Sequence, residues 1–154
     1  MNPIQPAAPV AAAPVPAPAV PPPSRKWEPP NPENKIVGRG ISGMASHAPI
    51  LGACVAITKG PILELGAGHF SSGILHFMAK VMGRTVLSLD SNAEWLRSVR
   101  HYATTDHVFR AVRAPHEHDA LRRAWGMAFV DCGRDERTPC IRLLHHIPIV
   151  VVHD

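Results

Sequence analysis

Aromatic side chains are scarce in this chain: one Tyr, four Phe and three Trp make up 5% of 154 residues. Any core must therefore be built mainly from aliphatic side chains. Cysteine is scarcer. Cys54, Cys132 and Cys140 are odd in number, scattered and without a CxxC spacing. That excludes a disulfide framework and a cysteine-based zinc site, and it points to reduced thiols in a cytoplasmic setting. Charged residues reach only 18%, and no run of five Lys or Arg occurs despite a net charge of +4. Arg110, Arg113, Arg122, Arg123 and Arg134 lie close in sequence but are not interleaved with aromatics. They read as solvated surface, so a nucleic-acid partner is not indicated. No Ser-His-Asp or Cys-His arrangement marks nucleophilic catalysis.

Proline is plentiful, but in one place. Twelve of the 17 prolines fall in residues 1–32. Met1–Pro23 is apolar yet has no basic residue before Arg25, so it lacks the charged start of a signal peptide. Its prolines remove backbone donors throughout and exclude a membrane-spanning helix. This composition predicts a disordered, polyproline-like tail over residues 1–35, ahead of one domain over residues 36–154. About 120 residues suffice for one core and not for two.

After Ile36 the pattern changes to short apolar runs alternating with helical segments. Helices are expected over Ser46–Thr58, capped by Ser46, and over Ser71–Met82, closed by Gly83. Others are expected over Ala93–Ala103, Asp119–Trp125 and Thr138–His145. Strands are expected over Pro61–Leu65, Thr85–Leu89, His107–Val112, Met127–Val130 and Ile147–Val152. Alternation at this interval predicts right-handed βαβ units. The fold class is then α/β, a doubly wound and mostly parallel sheet of about five strands in the order 3-2-1-4-5.

Ligands of such sheets sit beyond the carboxyl ends of the strands, beside the first strand. Gly66-Ala67-Gly68 occupies the first strand-to-helix turn, and Asp90-Ser91-Asn92 follows the second strand. Glycines there let the backbone approach a ligand, and an acid at the end of the second strand suits the hydroxyls of a ribose. Either feature alone is weak; a tight turn or a helix cap would explain it. A dinucleotide fingerprint would place a third glycine where Ser71 stands, and it seldom carries an acid such as Glu64 two positions before the first glycine.

Ile62-Leu-Glu-Leu-Gly-Ala-Gly68 resembles the first motif of the class I S-adenosylmethionine-dependent methyltransferases. The likeness extends over most of residues 41–154, through Leu87-Ser-Leu-Asp90 with Trp95 and through Phe129-Val-Asp-Cys-Gly133. The resemblance implies S-adenosylmethionine as cofactor, held by Glu64, Gly66, Ala67, Gly68, Asp90 and Ser91. Within that set the two glycines would pass under the methionine portion, Glu64 would order the loop or meet the amino group, and Asp90 would hold the ribose. Asp131 matches the acid at the end of the fourth strand and is the catalytic candidate. The implied reaction is methyl transfer; a sugar, a protein side chain or a nucleic acid stays open as the acceptor, with a slight preference, through Asp131 and Asp154, for a small hydroxyl-bearing molecule.

Asp131 and Asp154 would lie at the ends of adjacent strands, a placement similar to the metal-binding acids of catechol O-methyltransferase-like enzymes. A divalent metal is the alternative there to the preferred reading of solvated strand-end acids. His116-Glu-His-Asp119 has its histidines two apart and reads as a solvated loop, and His69 as a first-turn surface residue. Trp95 and Trp125 read as helix-to-sheet packing.

The family's sheet continues after the fifth strand, whereas this sequence stops there. The expectation is a C-terminally incomplete domain whose apolar fifth strand forms an edge able to pair with a second copy or a partner strand. Two other readings stay open: a binding module or pseudoenzyme that holds S-adenosylmethionine or a related nucleoside without turnover, and a nicotinamide-dependent reductase on the same sheet.

Overall fold

A computed structural model describes residues 45–153. The proline-rich tail over residues 1–35, the start of the domain and Asp154 lie outside the described residues. Five parallel strands form one sheet in the order β3-β2-β1-β4-β5. They are β1 (Ile62–Leu65), β2 (Val86–Asp90), β3 (His107–Ala111), β4 (Met127–Val130) and β5 (Val150–Val152). The helices are α1 (Ala48–Ile57), α2 (Ser71–Val81), α3 (Ala93–Val99) and α4 (Arg134–Leu143). Class, parallel pairing and strand order agree with the sequence expectation.

The alternation of side chains along each strand sorts the core into two layers. Ile62, Val86, Met127 and Phe129 face Leu51, Val55 and Leu75 of α1 and α2. Leu63, Leu65, Leu89, Ala128 and Val130 face Cys140 and Leu144 on the opposite side, together with Leu121 from a short 3-10 turn over Asp119–Arg122. β1 is buried at every position. That suits a central parallel strand covered on both faces, with one polar residue, Glu64, inside it.

Local chemistry sets several boundaries. α2 stops at Gly83, whose φ of +62° is open to glycine, and the Arg84 N–H then donates to Ala79 O at 2.8 Å. This turn delivers the Arg84 guanidinium to the end of α1. There Nε donates to Gly60 O at 2.6 Å, and Nη1 donates to Val55 O at 2.7 Å and to Thr58 Oγ1 at 3.1 Å. Asn92 caps α3 by accepting from the N–H groups of Glu94 and Trp95, both at 3.0 Å.

Five expectations are corrected. Ser46 does not cap α1; the residue flanking the helix is His47, and Ser46 Oγ instead lies 3.0 Å from His153 Nε2. The helix expected over Thr138–His145 starts earlier, at Arg134, so Pro139 lies inside it. The missing N–H costs one backbone bond, while Asp135 and Glu136 complement the helix dipole in the first turn. The helix expected over Ala93–Ala103 becomes 3-10 at Arg100–Tyr102, and that expected over Asp119–Trp125 is only the 3-10 turn. The fifth strand is shorter than Ile147–Val152. Ile147 N–H turns back to Leu144 O at 2.9 Å and Pro148 has no donor, so pairing with β4 begins at Val150.

Candidate functional site

Parallel register brings the carboxyl ends of β1, β2 and β4 level, and the loops that follow them meet there. Gly66 has φ +88°, and a Cβ on it would sit 2.4 Å from the carbonyl C and O of Asp131. Its lack of a side chain is thus required by the close pass of the β1 and β4 loops. Gly68 is different: a Cβ there would meet only Ser71 Oγ, at 3.1 Å. Of the two glycines, Gly68 is the one whose bareness serves open space.

Asp90 ties this loop to β2. Its Oδ2 accepts from Ala67 N–H at 2.9 Å and its Oδ1 from Asn92 N–H at 2.7 Å. A carboxylate has about four lone-pair sites, so these two bonds leave two of them unused. The indole N–H of Trp95 donates to Ala67 O, and its ring meets His69 edge-on with centroids 5.3 Å apart. Trp95 therefore buttresses the glycine turn, which corrects its reading as helix-to-sheet packing. Trp125 does pack against the core.

Glu64 lies below the loop and is fully buried. Ser72 Oγ donates to its carboxylate at 2.9 Å, and Ser72 Oγ in turn accepts from Gly68 N–H at 3.1 Å. On its other side Ser88 Oγ donates to Glu64 Oε2 and sits 2.8 Å from His107 Nε2. Glu64 is thus linked through Ser72 to the backbone of Gly68 in the glycine turn. Burial pushes its carboxyl up to about 7, against the hydrogen bonds from Ser88, Ser71 and Ser72. Burial likewise lowers His107 to about 4, with His76 contributing, so that imidazole is neutral at physiological pH.

A cleft of about 310 Å³ opens above the loop, lined by Ala67, Gly68, Phe70, Trp95 and Asp131, with His47 and His153 on the same wall. α2 begins beside it without a side-chain cap; of its first N–H groups, that of Ser72 already donates to Gly68 O at 2.9 Å, and an electronegative group would have to be met by the others. Asp131 is partly exposed; its Oδ1 lies 3.3 Å from His153 Nδ1 and 3.9 Å from Arg137 Nη2. His47 is buried, and burial and neighbouring His153 lower its pKa, with Asp131 opposing.

The structure thus gathers Ala67, Gly68 and Asp131 on the cleft, with Asp90 one hydrogen bond behind. Ser91 is elsewhere: it is exposed, and its Oγ donates to Glu136 Oε2 at 3.2 Å. His69 is exposed but lines the cleft. His118 of the His-Glu-His-Asp segment accepts from Ala120 N–H at 3.1 Å as a turn cap. The five arginines named above are all exposed. Sequence reasoning missed His47 and His153. The strand-end rule that selected Asp131 applies equally to His153, directly after β5, whereas nothing local marks His47.

Together these features define an all-parallel α/β protein with a cleft at the strand ends beside β1. Comparison with protein-family models, curated proteins and solved structures returns no match. Among the described residues, no helix is long and apolar enough to cross a membrane.

Proposed function

We propose that this domain is an S-adenosylmethionine-dependent methyltransferase of class I type, acting on a small hydroxyl-bearing acceptor. The observation that carries the reading is the hydrogen bond from Ala67 N–H to Asp90 Oδ2. It couples the glycine turn after β1 to the acid that ends β2, the two places where an adenosine would be gripped. The residues fit such a cofactor. Gly68 leaves room above the turn, Asp90 retains lone pairs for ribose hydroxyls, and the uncapped start of α2 faces the cleft where an amino-acid carboxylate would lie.

S-adenosylmethionine supplies a methyl group already activated on a sulfonium. The protein's main task is then alignment, which can contribute several kcal/mol, up to roughly 7–11 in favourable cases. Glu64 serves through Ser72 by fixing Gly68. Asp131, the carboxylate on the cleft wall, receives the acceptor hydroxyl and its proton. The three cysteines are free and buried, which supports a reducing, cytoplasmic setting. Among the described residues β5 pairs only with β4, and its outer edge is the proposed site for a second copy or a further strand.

Calorimetry with S-adenosylhomocysteine and, separately, NAD tests this reading. Binding of the former alone is expected, weakened by Asp90→Asn and by Gly68→Ala. A folded sample that binds S-adenosylhomocysteine more weakly than about 1 mM overturns it, and preference for NAD makes the domain a reductase. Binding without methyl transfer to any of a panel of hydroxylated acceptors would leave a nucleoside-binding module.

A further inference from the structure

Three side chains far apart in sequence converge on one wall of the cleft. His47 comes from the turn before α1, Asp131 follows β4, and His153 follows β5. One ligand atom from each lies within 4.8 Å of the other two. Asp131 Oδ1 and His153 Nδ1 are already 3.3 Å apart.

His47 is the telling member. Its side chain is only 5% exposed, and both ring nitrogens are buried with no hydrogen-bond partner among the described residues. Leaving buried polar atoms unpaired is costly, and an apolar ring would pack against Phe129 without that cost. The imidazole lies 4.9 Å from the Phe129 ring and 4.6 Å from the His153 ring, centroid to centroid. At the nitrogen that carries the lone pair, a group that accepts it would repay the cost. His153 has the complementary arrangement: Ser46 Oγ stands 3.0 Å from Nε2, where it can hold that nitrogen's proton and leave Nδ1 bare toward Asp131. An outer hydroxyl that fixes the tautomer of a ligating imidazole is a recurrent feature of metal sites.

We infer that His47, Asp131 and His153 bind one divalent transition-metal ion at the edge of the cleft. Two imidazoles and one carboxylate select ions of the zinc, iron or cobalt kind over magnesium or calcium, which prefer all-oxygen sets. Ligand bonds of roughly 2.0–2.2 Å place neighbouring ligand atoms about 3–3.5 Å apart. The Asp131–His153 pair has that spacing at 3.3 Å, and binding would require the His47 ring to move in from its present place within 4.8 Å of both. All three residues line the cleft, so the remaining coordination positions face its open space. Three protein ligands with an open position suit a substrate-orienting metal rather than a structural one. This set differs from the Asp131 and Asp154 pair expected from sequence, and it stands on its own geometry whichever nucleoside the cleft holds.

The test uses the untagged full chain, stripped with chelator and equilibrated with Zn²⁺ or Co²⁺ against a background of Mg²⁺. One equivalent of metal is expected after gel filtration, with visible absorption of the Co²⁺ form reporting a low-symmetry N/O site. Asp131→Asn and His153→Gln should each weaken binding by more than about a hundredfold. His47→Phe, which refills the ring volume, should do the same while the circular dichroism stays native. The control His145→Gln/His146→Gln removes two exposed histidines and should bind as the parent does. Failure to retain Zn²⁺, unchanged binding in the three variants, or loss in the control would overturn the site, as would equal retention of Mg²⁺. None of these outcomes bears on S-adenosylhomocysteine binding, so the two proposals fail separately.

Discussion

Glu64 and His107 share Ser88, and replacing each in turn should expose two opposed pH dependences that the parent protein conceals. Glu64 titrates near 7 in the fold against an ordinary 4.5. Between those values the unfolded chain is ionised and the folded one holds its proton, so stability falls as pH rises. At roughly 1.4 kcal/mol per pKa unit, the full loss is about 3 kcal/mol, complete above pH 7. His107 titrates near 4 against an ordinary 6.5. Between those values the unfolded chain binds the extra proton, so stability rises with pH by a similar amount. From pH 4.5 to 6.5 the two slopes cancel, because folding moves one proton's worth of charge from the imidazole to the carboxyl. Urea unfolding from pH 4 to 8 measures this. The stability of the parent minus that of Glu64→Gln should fall by about 3 kcal/mol between pH 4.5 and 7. The parent minus His107→Gln should rise by a similar amount between pH 4 and 6.5. If both differences are flat with pH, Glu64 and His107 titrate normally and the buried chain of hydrogen bonds described for them is wrong.

Gly66→Ala should destabilise the fold by more than about 3 kcal/mol, because it combines a left-handed backbone with a Cβ inside the Asp131 peptide. Gly68→Ala should cost less than about 1 kcal/mol in the same denaturation assay and act instead on nucleoside affinity. Arg84→Met leaves the end of α1 without its clamp, so the melting temperature should drop by the equivalent of about 2–3 kcal/mol. Trp95→Phe keeps the ring but removes the donor to Ala67 O. It should loosen the glycine turn, read as faster amide exchange at Ala67 and Gly68, with global stability reduced by about 1 kcal/mol.

The sheet was legible because its strands are short apolar runs that end at strong punctuation: Gly66 after β1, Asp90 before an Asx cap, Gly83 between α2 and β2. In two places proline misled. Pro139 reads as a first-turn residue, and α4 carries it internally because the acidic turn at Asp135 and Glu136 already favours the helix. Pro148 sits in an apolar run that reads as strand, yet a residue with no donor cannot serve the ladder, so β5 begins beyond it.

The site divides along the same physical line. Gly66, Gly68 and Asp90 were legible because their roles are local: a turn, an opening and a strand end within one βαβ unit. Even there, sequence merged two different glycines, since the contact that forces Gly66 comes from Asp131 in another loop. The polar links beneath and beside the turn are long-range. Glu64 meets Ser88 across two strands, and Ser46 meets His153 across 107 positions. No periodicity encodes such pairs; only the sheet order brings them together. A polar residue in an otherwise apolar strand is the one signal available. At Glu64 it marks a carboxyl held by hydroxyls on both sides, because a buried polar group without them would not be tolerated in the centre of the sheet. The same reasoning separates His107, satisfied through Ser88 at one nitrogen, from His47, satisfied at neither. Burial lowers the pKa of both histidines, with His153 adding at His47 and His76 at His107, so it is the count of unmet nitrogens that turns His47 into a candidate ligand.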